Sequence, residues 1–236
     1  MKHLQLLDAS LRQVPQHGYT TRAFIAAIQS DATLPQYKAT TLHAIFPSRP
    51  PITHLTERIS KPVHQEPVGP ARALFQRWLD LGREDMEQHL FDCPQKTQES
   101  IFSSGLHRRL EYSQTGLEHL PQGLKLLSAP SAHGDDFLPV HVPLPDPRPA
   151  MDLARSLCRA SGNKEQGTDW YSTRLRLVTI YGLCELHLLG TQSLSRTHDL
   201  LDALLLGSAS SSNPGDVSFL TFVGKSWQGI LRSRYF

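Results

Sequence analysis

The sequence predicts an all-α protein, on three observations. Apolar residues recur at three- and four-residue intervals along most of the 236 residues. Strand-like alternation is confined to the stretch from Phe137 to Leu144. One segment, from Asp169 to Leu189, reads as a capped helix that is apolar on nearly every side.

In chain order, Leu4, Leu7, Leu11 and Val14 mark a first amphipathic helix that Pro15 and Gly18 terminate. Thr20 or Thr21 is placed to cap a short second helix carrying Phe24, Ile25 and Ile28 inward. A third begins near Pro35, since proline suits a first helical turn, and runs through Ala39 and Leu42 to Phe46. Pro47, Pro50 and Pro51 stop it, and Ile52, Leu55 and Ile59 open a fourth. Three short helices with a tight polar turn between the second and third outline a helix-turn-helix subdomain over residues 1–61. The outline speaks for a compact three-helix unit before it speaks for DNA.

Pro62 to Pro70 reads as a linker, after which residues 71–207 form a larger helical domain. Leu74, Trp78 and Leu81 lead a long helix toward Leu90; Ile101, Phe102, Leu106 and Leu110 mark the next, and Leu117, Leu120, Leu124 and Leu127 another. The excursion over residues 128–149 holds six prolines with Gly134 and Asp135-Asp136, which excludes a continuous helix there. Helices resume with Leu153, Ala154 and Leu157 and close with Leu194, Leu200, Leu201, Leu204 and Leu205.

In the Asp169 segment, Leu177, Val178, Tyr181, Cys184 and Leu188 recur at helical spacing, while Leu175, Ile180, Leu183, Leu186 and Leu189 cover the other faces. Such a helix is expected to be enclosed by others or to line a greasy pocket, with Trp170 and Tyr171 at its mouth as lid or docking surface. Residues 208–215 read as a Ser-rich linker. Residues 216–236 then place Leu220, Val223, Trp227, Ile230 and Leu231 on one helical face, flanked by Phe219 and Phe222, with Lys225, Arg232 and Arg234 adding basic charge. An aromatic-rich amphipathic helix on a tether is the pattern of an interfacial membrane anchor, with docking onto its own core as the alternative.

Net charge is +2, which argues against a dedicated nucleic-acid binder, and the 12 histidines add latent positive charge in acid. The three cysteines, Cys93, Cys158 and Cys184, form no CxxC pair and are expected to be reduced and buried. No window approaches the roughly 20 apolar residues of a membrane-spanning helix, and no cleavable targeting segment is visible at Met1-Lys2-His3-Leu4. No GxSxG elbow, phosphate loop or HExxH occurs, so no catalytic, metal or cofactor site is expected. Glu185, alone on its greasy helix, is either a buried acid with a raised pKa or one that reaches solvent or pairs with Arg174 or another base.

Together these residues resemble a known family, the TetR-like, lipid-binding accessory proteins of ubiquinone (coenzyme Q) biosynthesis, found in mitochondria and some bacteria. Leu6 to Leu11 followed by Val14 to Thr20 looks like the family's opening helix and Gly-aromatic turn, and Ala26 to Phe46 like the rest of its helix-turn-helix. Leu117 to Leu124 is similar to its middle helix with an internal proline; the strongest match is Asp169-Trp170-Tyr171, then Arg174, Ile180-Tyr181 and Glu185-Leu186. The 128–149 excursion and the prolines of 62–70 depart from that pattern. The resemblance implies a TetR-like bundle that does not bind nucleic acid, a homodimer with a pocket for an isoprenoid lipid or quinone intermediate, and a peripheral position at the matrix side of the mitochondrial inner membrane. It also implies docking of the di-iron demethoxyubiquinone hydroxylase of the coenzyme Q biosynthetic complex through Trp170, Tyr171, Arg174 and Tyr181. Leu177, Ile180, Leu183, Phe75 and Trp78 are the candidate lipid-lining residues, and the terminal helix is the membrane-binding segment.

Two other readings fit the helical pattern. A TetR-type ligand-sensing regulator would use Tyr37, Lys38, Thr40, Thr41 and His43 on the third helix against DNA, although Asp31 to Phe46 carries one lysine and one aspartate. A structural all-α subunit would use the greasy helix simply as core.

Overall fold

Helix dominates wherever the chain is defined. The computed structural model describes residues 2–31, 34–46, 69–92, 97–128, 148–162 and 167–209, and among these there is no strand. Among the described residues there are ten helices: α1 (Lys2–Leu11), α2 (Val14–His17), α3 (Thr21–Ser30), α4 (Ala39–Ile45), α5 (Gly69–Asp92), α6 (Gln98–Thr115), α7 (Leu120–Ser128), α8 (Arg148–Ala160), α9 (Thr168–Thr191) and α10 (Leu194–Ala209). None of them is long and apolar enough to cross a membrane. The all-α prediction holds.

The contacts divide the chain into two units, Met1–Gly82 with Thr115–Pro149, and Arg83–Gln114 with Ala150–Phe236. In the first, α1 packs along α3, burying Leu6, Leu7, Phe24 and Ile28. Pro15 does not end the first helix as the sequence suggested. It sits in the first turn of the separate short helix α2, where its missing N–H costs nothing, and the stop comes at Gly18. Gly18 has φ +63° and its α-carbon faces the Gln122 side chain, so a side chain there is excluded both by conformation and by space. The turn aims Tyr19 inward, where its ring meets Phe75 edge-on at 4.8 Å and Trp78 at 6.3 Å. Its backbone N–H donates to Gln122 Oε1 at 3.1 Å.

Other boundaries shift for local reasons. Thr20 flanks α3 but does not cap it by a side-chain bond; its hydroxyl donates instead to the His17 carbonyl at 2.9 Å. The third helix starts at Ala39 and not near Pro35, because Lys38 is extended (φ −76°, ψ 157°). Gly69 and Pro70 already belong to α5, so the expected linker cannot extend through them. Leu117 lies in the turn before α7, and Pro121 occupies that helix's first turn. The fourth helix expected at Ile52 to Ile59 and the bulk of the proline-rich excursion lie outside the described residues, but Ser128, Arg148 and Pro149 at its edges are helical.

The second unit is built from the latter part of α5 with α6, α8, α9 and α10. Leu106 and Leu110 of α6, Leu157 of α8, Leu177 and Ile180 of α9 and Leu201 of α10 form one buried cluster with Met86 of α5. Helices α9 and α10 pack as a hairpin. Its corner is Gln192, in the left-handed region at φ 52°, with its N–H closing the helix onto Leu188 O at 2.8 Å. Helix α10 continues through Ser208 and Ala209, so the first two residues assigned to a linker are helical.

Candidate functional site

Helix α9 begins two residues earlier than the Asp169 cap predicted. Gly167 is its N-cap, at φ 67°, and Asp169 sits exposed in the first turn, where a carboxylate favours the helix dipole. Trp170 and Tyr171 follow on that turn, their rings 4.6 Å apart and nearly perpendicular. Tyr171 is 67% exposed, an unusual position for a large ring. Leu175, one turn on, is 55% exposed, so the helix is not enclosed on every side as its composition suggested. Gly182 lies further along, with open space where a β-carbon would stand.

Arg174 is the other half of this turn, and only 7% of it is accessible. Its guanidinium carbon lies 3.8 Å from the centroid of the Trp170 ring, and its Nη1 donates to the Trp170 carbonyl at 2.7 Å. Among the described residues no carboxylate pairs with it, and its buried Nε has no hydrogen-bond partner. A partly desolvated cation over indole is worth about 1–2 kcal/mol, which makes the ring its principal partner.

Tyr181, by contrast, is an internal residue. Its hydroxyl donates to Glu185 Oε1 at 2.7 Å, one turn along α9. Facing them from α6 are Arg109, whose Nη1 donates to Ser113 Oγ at 3.0 Å, and Ser113, a hydrogen-bond partner of both Tyr181 and Glu185. The Arg109 guanidinium also lies 5.7 Å from the Tyr181 ring centroid and 5.5 Å from that of Tyr112. Burial raises the Glu185 carboxyl above its ordinary value, against the pull of Arg109 and of the hydrogen bonds from Tyr181 and Ser113. Burial likewise raises the Tyr181 hydroxyl. The base that faces Glu185 is therefore Arg109 rather than Arg174. Arg109 and Ser113 were not singled out from the sequence, although they stand seven and eleven residues from Phe102, on the same buried stripe as Leu106 and Leu110.

The candidate lipid-lining residues fall in two places. Phe75 and Trp78 stack at 5.6 Å in the first unit, beside Tyr19. Leu177, Ile180 and Leu183 are all buried in the core of the second. Cys158 and Cys184 are buried thiols in no disulfide, and burial, with Asp202 adding to it, pushes the Cys184 thiol up to about 12, where it is inert. Cys93 and the membrane-binding candidates Phe219, Leu220, Phe222, Val223, Trp227, Ile230 and Leu231 lie outside the described residues. Among the described residues no group of three or more His, Cys, Asp or Glu is arranged to hold a metal ion.

The COQ9 family model matches residues 147–207, a span that contains α8, α9 and most of α10 and hence the whole Trp170–Arg174 turn. The chain is also similar to the protein named "Ubiquinone biosynthesis protein COQ9, mitochondrial" of Drosophila melanogaster, with 24% identity over 191 residues. That alignment covers 80% of this chain and 49% of the relative, so the chain spans about half the relative's length. The family match on the α8–α10 segment and the alignment along most of the chain agree in the likeness they report, which is to COQ9 proteins.

Proposed function

We propose that this chain acts in ubiquinone biosynthesis as a non-catalytic adaptor, holding an isoprenoid or quinone intermediate at a membrane and docking the di-iron hydroxylase that modifies demethoxyubiquinone. The observation that carries the proposal is the Trp170–Tyr171 ring pair at the start of α9, with Trp170 half-buried and Tyr171 exposed, inside the segment matched to the family. Aromatic residues held at a surface are the commonest anchors of protein interfaces, because they bury much area for little rotamer entropy. Tyr171 and the neighbouring Leu175 offer that area, while the buried Arg174 holds the Trp170 ring and Tyr181 belongs to the core polar group.

The lipid part has a simple physical logic. A polyprenyl tail is insoluble, and an enzyme acting on its quinone head needs the tail kept out of water. Burying one isoprene unit is worth about 3 kcal/mol at about 0.8 kcal/mol per methylene-sized group. The apolar lining would come from Leu177, Ile180 and Leu183 of the second unit, or from Phe75 and Trp78 of the first. The amphipathic residues 216–236 would hold the chain peripherally at the matrix face of the mitochondrial inner membrane, as part of a homodimer.

Mass spectrometry of the lipid retained by the full chain, purified gently from a host that makes ubiquinone, tests this reading first. Stoichiometric isoprenoid or quinone is expected, together with binding to cardiolipin-containing vesicles and to the purified hydroxylase. A lipid-free protein that binds neither overturns it.

A further inference from the structure

We infer that Arg174 is the positioning residue of the Trp170–Tyr171 pair, fixing the indole from beneath so that both rings are set before a partner arrives. The inference rests on the docking reading above and assigns Arg174 a role different from a surface contact.

Four observations carry it. Arg174 is almost wholly covered, so its side chain is not offered to a partner as Tyr171 is. Its guanidinium carbon lies over the Trp170 ring, 3.8 Å from the indole centroid, and its Nη1 donates to the backbone carbonyl of the same residue at 2.7 Å. One side chain thereby holds both the ring and the main chain of Trp170. Trp170 in turn meets Tyr171 ring to ring at 4.6 Å, so the constraint passes to the exposed ring. Finally, the cation has no carboxylate among the described residues and keeps a buried Nε without a partner, which is not how a stabilising internal ion pair is built. A buried cation is a cost to the fold, and among the described residues the indole it orders is its principal partner.

Ordering a large side chain on binding costs about 0.5–1.5 kcal/mol, which corresponds to about 2- to 12-fold in affinity. A protein that sets Trp170 in advance avoids that loss. The test uses the full chain and purified demethoxyubiquinone hydroxylase as the probe. Arg174→Met is expected to raise Kd by about 3- to 10-fold and to shift or broaden the indole N–H resonance of Trp170, identified by its loss in Trp170→Phe. Arg174→Gln, which can still donate to the Trp170 carbonyl but has no planar cation, is expected to behave like the Met variant. In a Trp170→Ala background the Arg174→Met effect should vanish, because Arg174 acts through the ring. Effects that add across the two sites would mean that Arg174 meets the partner directly and would overturn the inference, as would an unmoved indole resonance or wild-type affinity in both variants. If Trp170→Ala leaves the affinity unchanged, it is the docking reading that fails, and the indole resonance alone decides whether Arg174 sets the ring.

Discussion

The Tyr181 hydroxyl donates to the Glu185 carboxylate at 2.7 Å inside the second unit, where Arg109 and Ser113 of α6 meet the same pair. Four polar groups thus sit beside a core built largely of Leu side chains, with Ile, Phe, Met, Ala and Cys among them. Each is tolerable only because the others are there, since a buried polar atom without a partner costs more than its hydrogen bond returns.

Removing members of this group is expected to be unequal. Tyr181→Phe deletes the hydroxyl that bonds Glu185 and Ser113 and should lower unfolding free energy by about 1–3 kcal/mol. Glu185→Ala removes the carboxyl group that faces the 2%-exposed Arg109 and should cost about 3–5 kcal/mol. Urea unfolding with matched m-values measures both, and equal losses would show that the hydroxyl rather than the charge balance holds the group together.

Acid is expected to weaken the docking of α10 through His198. Burial, followed by the His107 ring whose centroid lies 4.3 Å away, holds the His198 pKa below its ordinary 6.5, although Glu111 of α6 and Asp202 and Asp199 of α10 pull the other way. A depressed folded value means that the unfolded chain takes the proton first. The stability contribution is therefore complete above about pH 6.5 and drains away as the pH falls below it. His198→Gln should flatten that part of the stability–pH curve; a slope as steep as in the parent would remove His198 as its source.

Two glycines in helices should respond in opposite directions. A β-carbon on Gly123 of α7 would run into three atoms of the Phe75 ring, which is itself fully buried, so Gly123→Ala should destabilise by about 1–3 kcal/mol. A β-carbon on Gly182 of α9 meets nothing within 4 Å, and Gly182→Ala should stabilise by about 0.5–1 kcal/mol through helix propensity alone. Thermal midpoints of the two variants distinguish close packing from open surface at these positions.

If the proposed docking of the hydroxylase at the Trp170–Tyr171 pair holds, Tyr171→Ala should weaken its binding by about 30-fold, corresponding to an anchor worth about 2 kcal/mol, and leave the melting temperature unchanged. Its side chain is mostly in solvent, so the fold has little to lose. Calorimetric titration against the hydroxylase measures the effect, and undiminished affinity would move the docking surface elsewhere on the chain.

The helical architecture was legible because the 3.6-residue period is strong in segments such as Leu74 to Leu90 and Leu177 to Leu188. Helix starts were less so. Pro35 and Asp169 both carry the right local preference, yet α4 begins four residues after the first and α9 begins before the second. Propensity marks which residues tolerate a helix terminus, and tertiary packing selects among them. The Trp170–Tyr171 pair was visible as chemistry, whereas the burial of Arg174 beneath it was not, because a charged residue gives no sequence signal for lying under a ring. Arg109 could have been found: it occurs in register with Phe102, Leu106 and Leu110, and a charge on an apolar stripe predicts an internal partner.

The hydrogen bond from the Tyr19 backbone to Gln122 spans 103 positions of the chain and brings together parts that are made far apart in time. During synthesis the opening helices reach the end of the ribosomal tunnel with the Tyr19 ring uncovered, since Phe75, Trp78 and Gln122 are not yet available to receive it. The first unit can close only after α7 has emerged, by which point α6 of the other unit is already complete. A nascent chain of this protein therefore carries its opening helices without their partners until residues near Gln122 have been made.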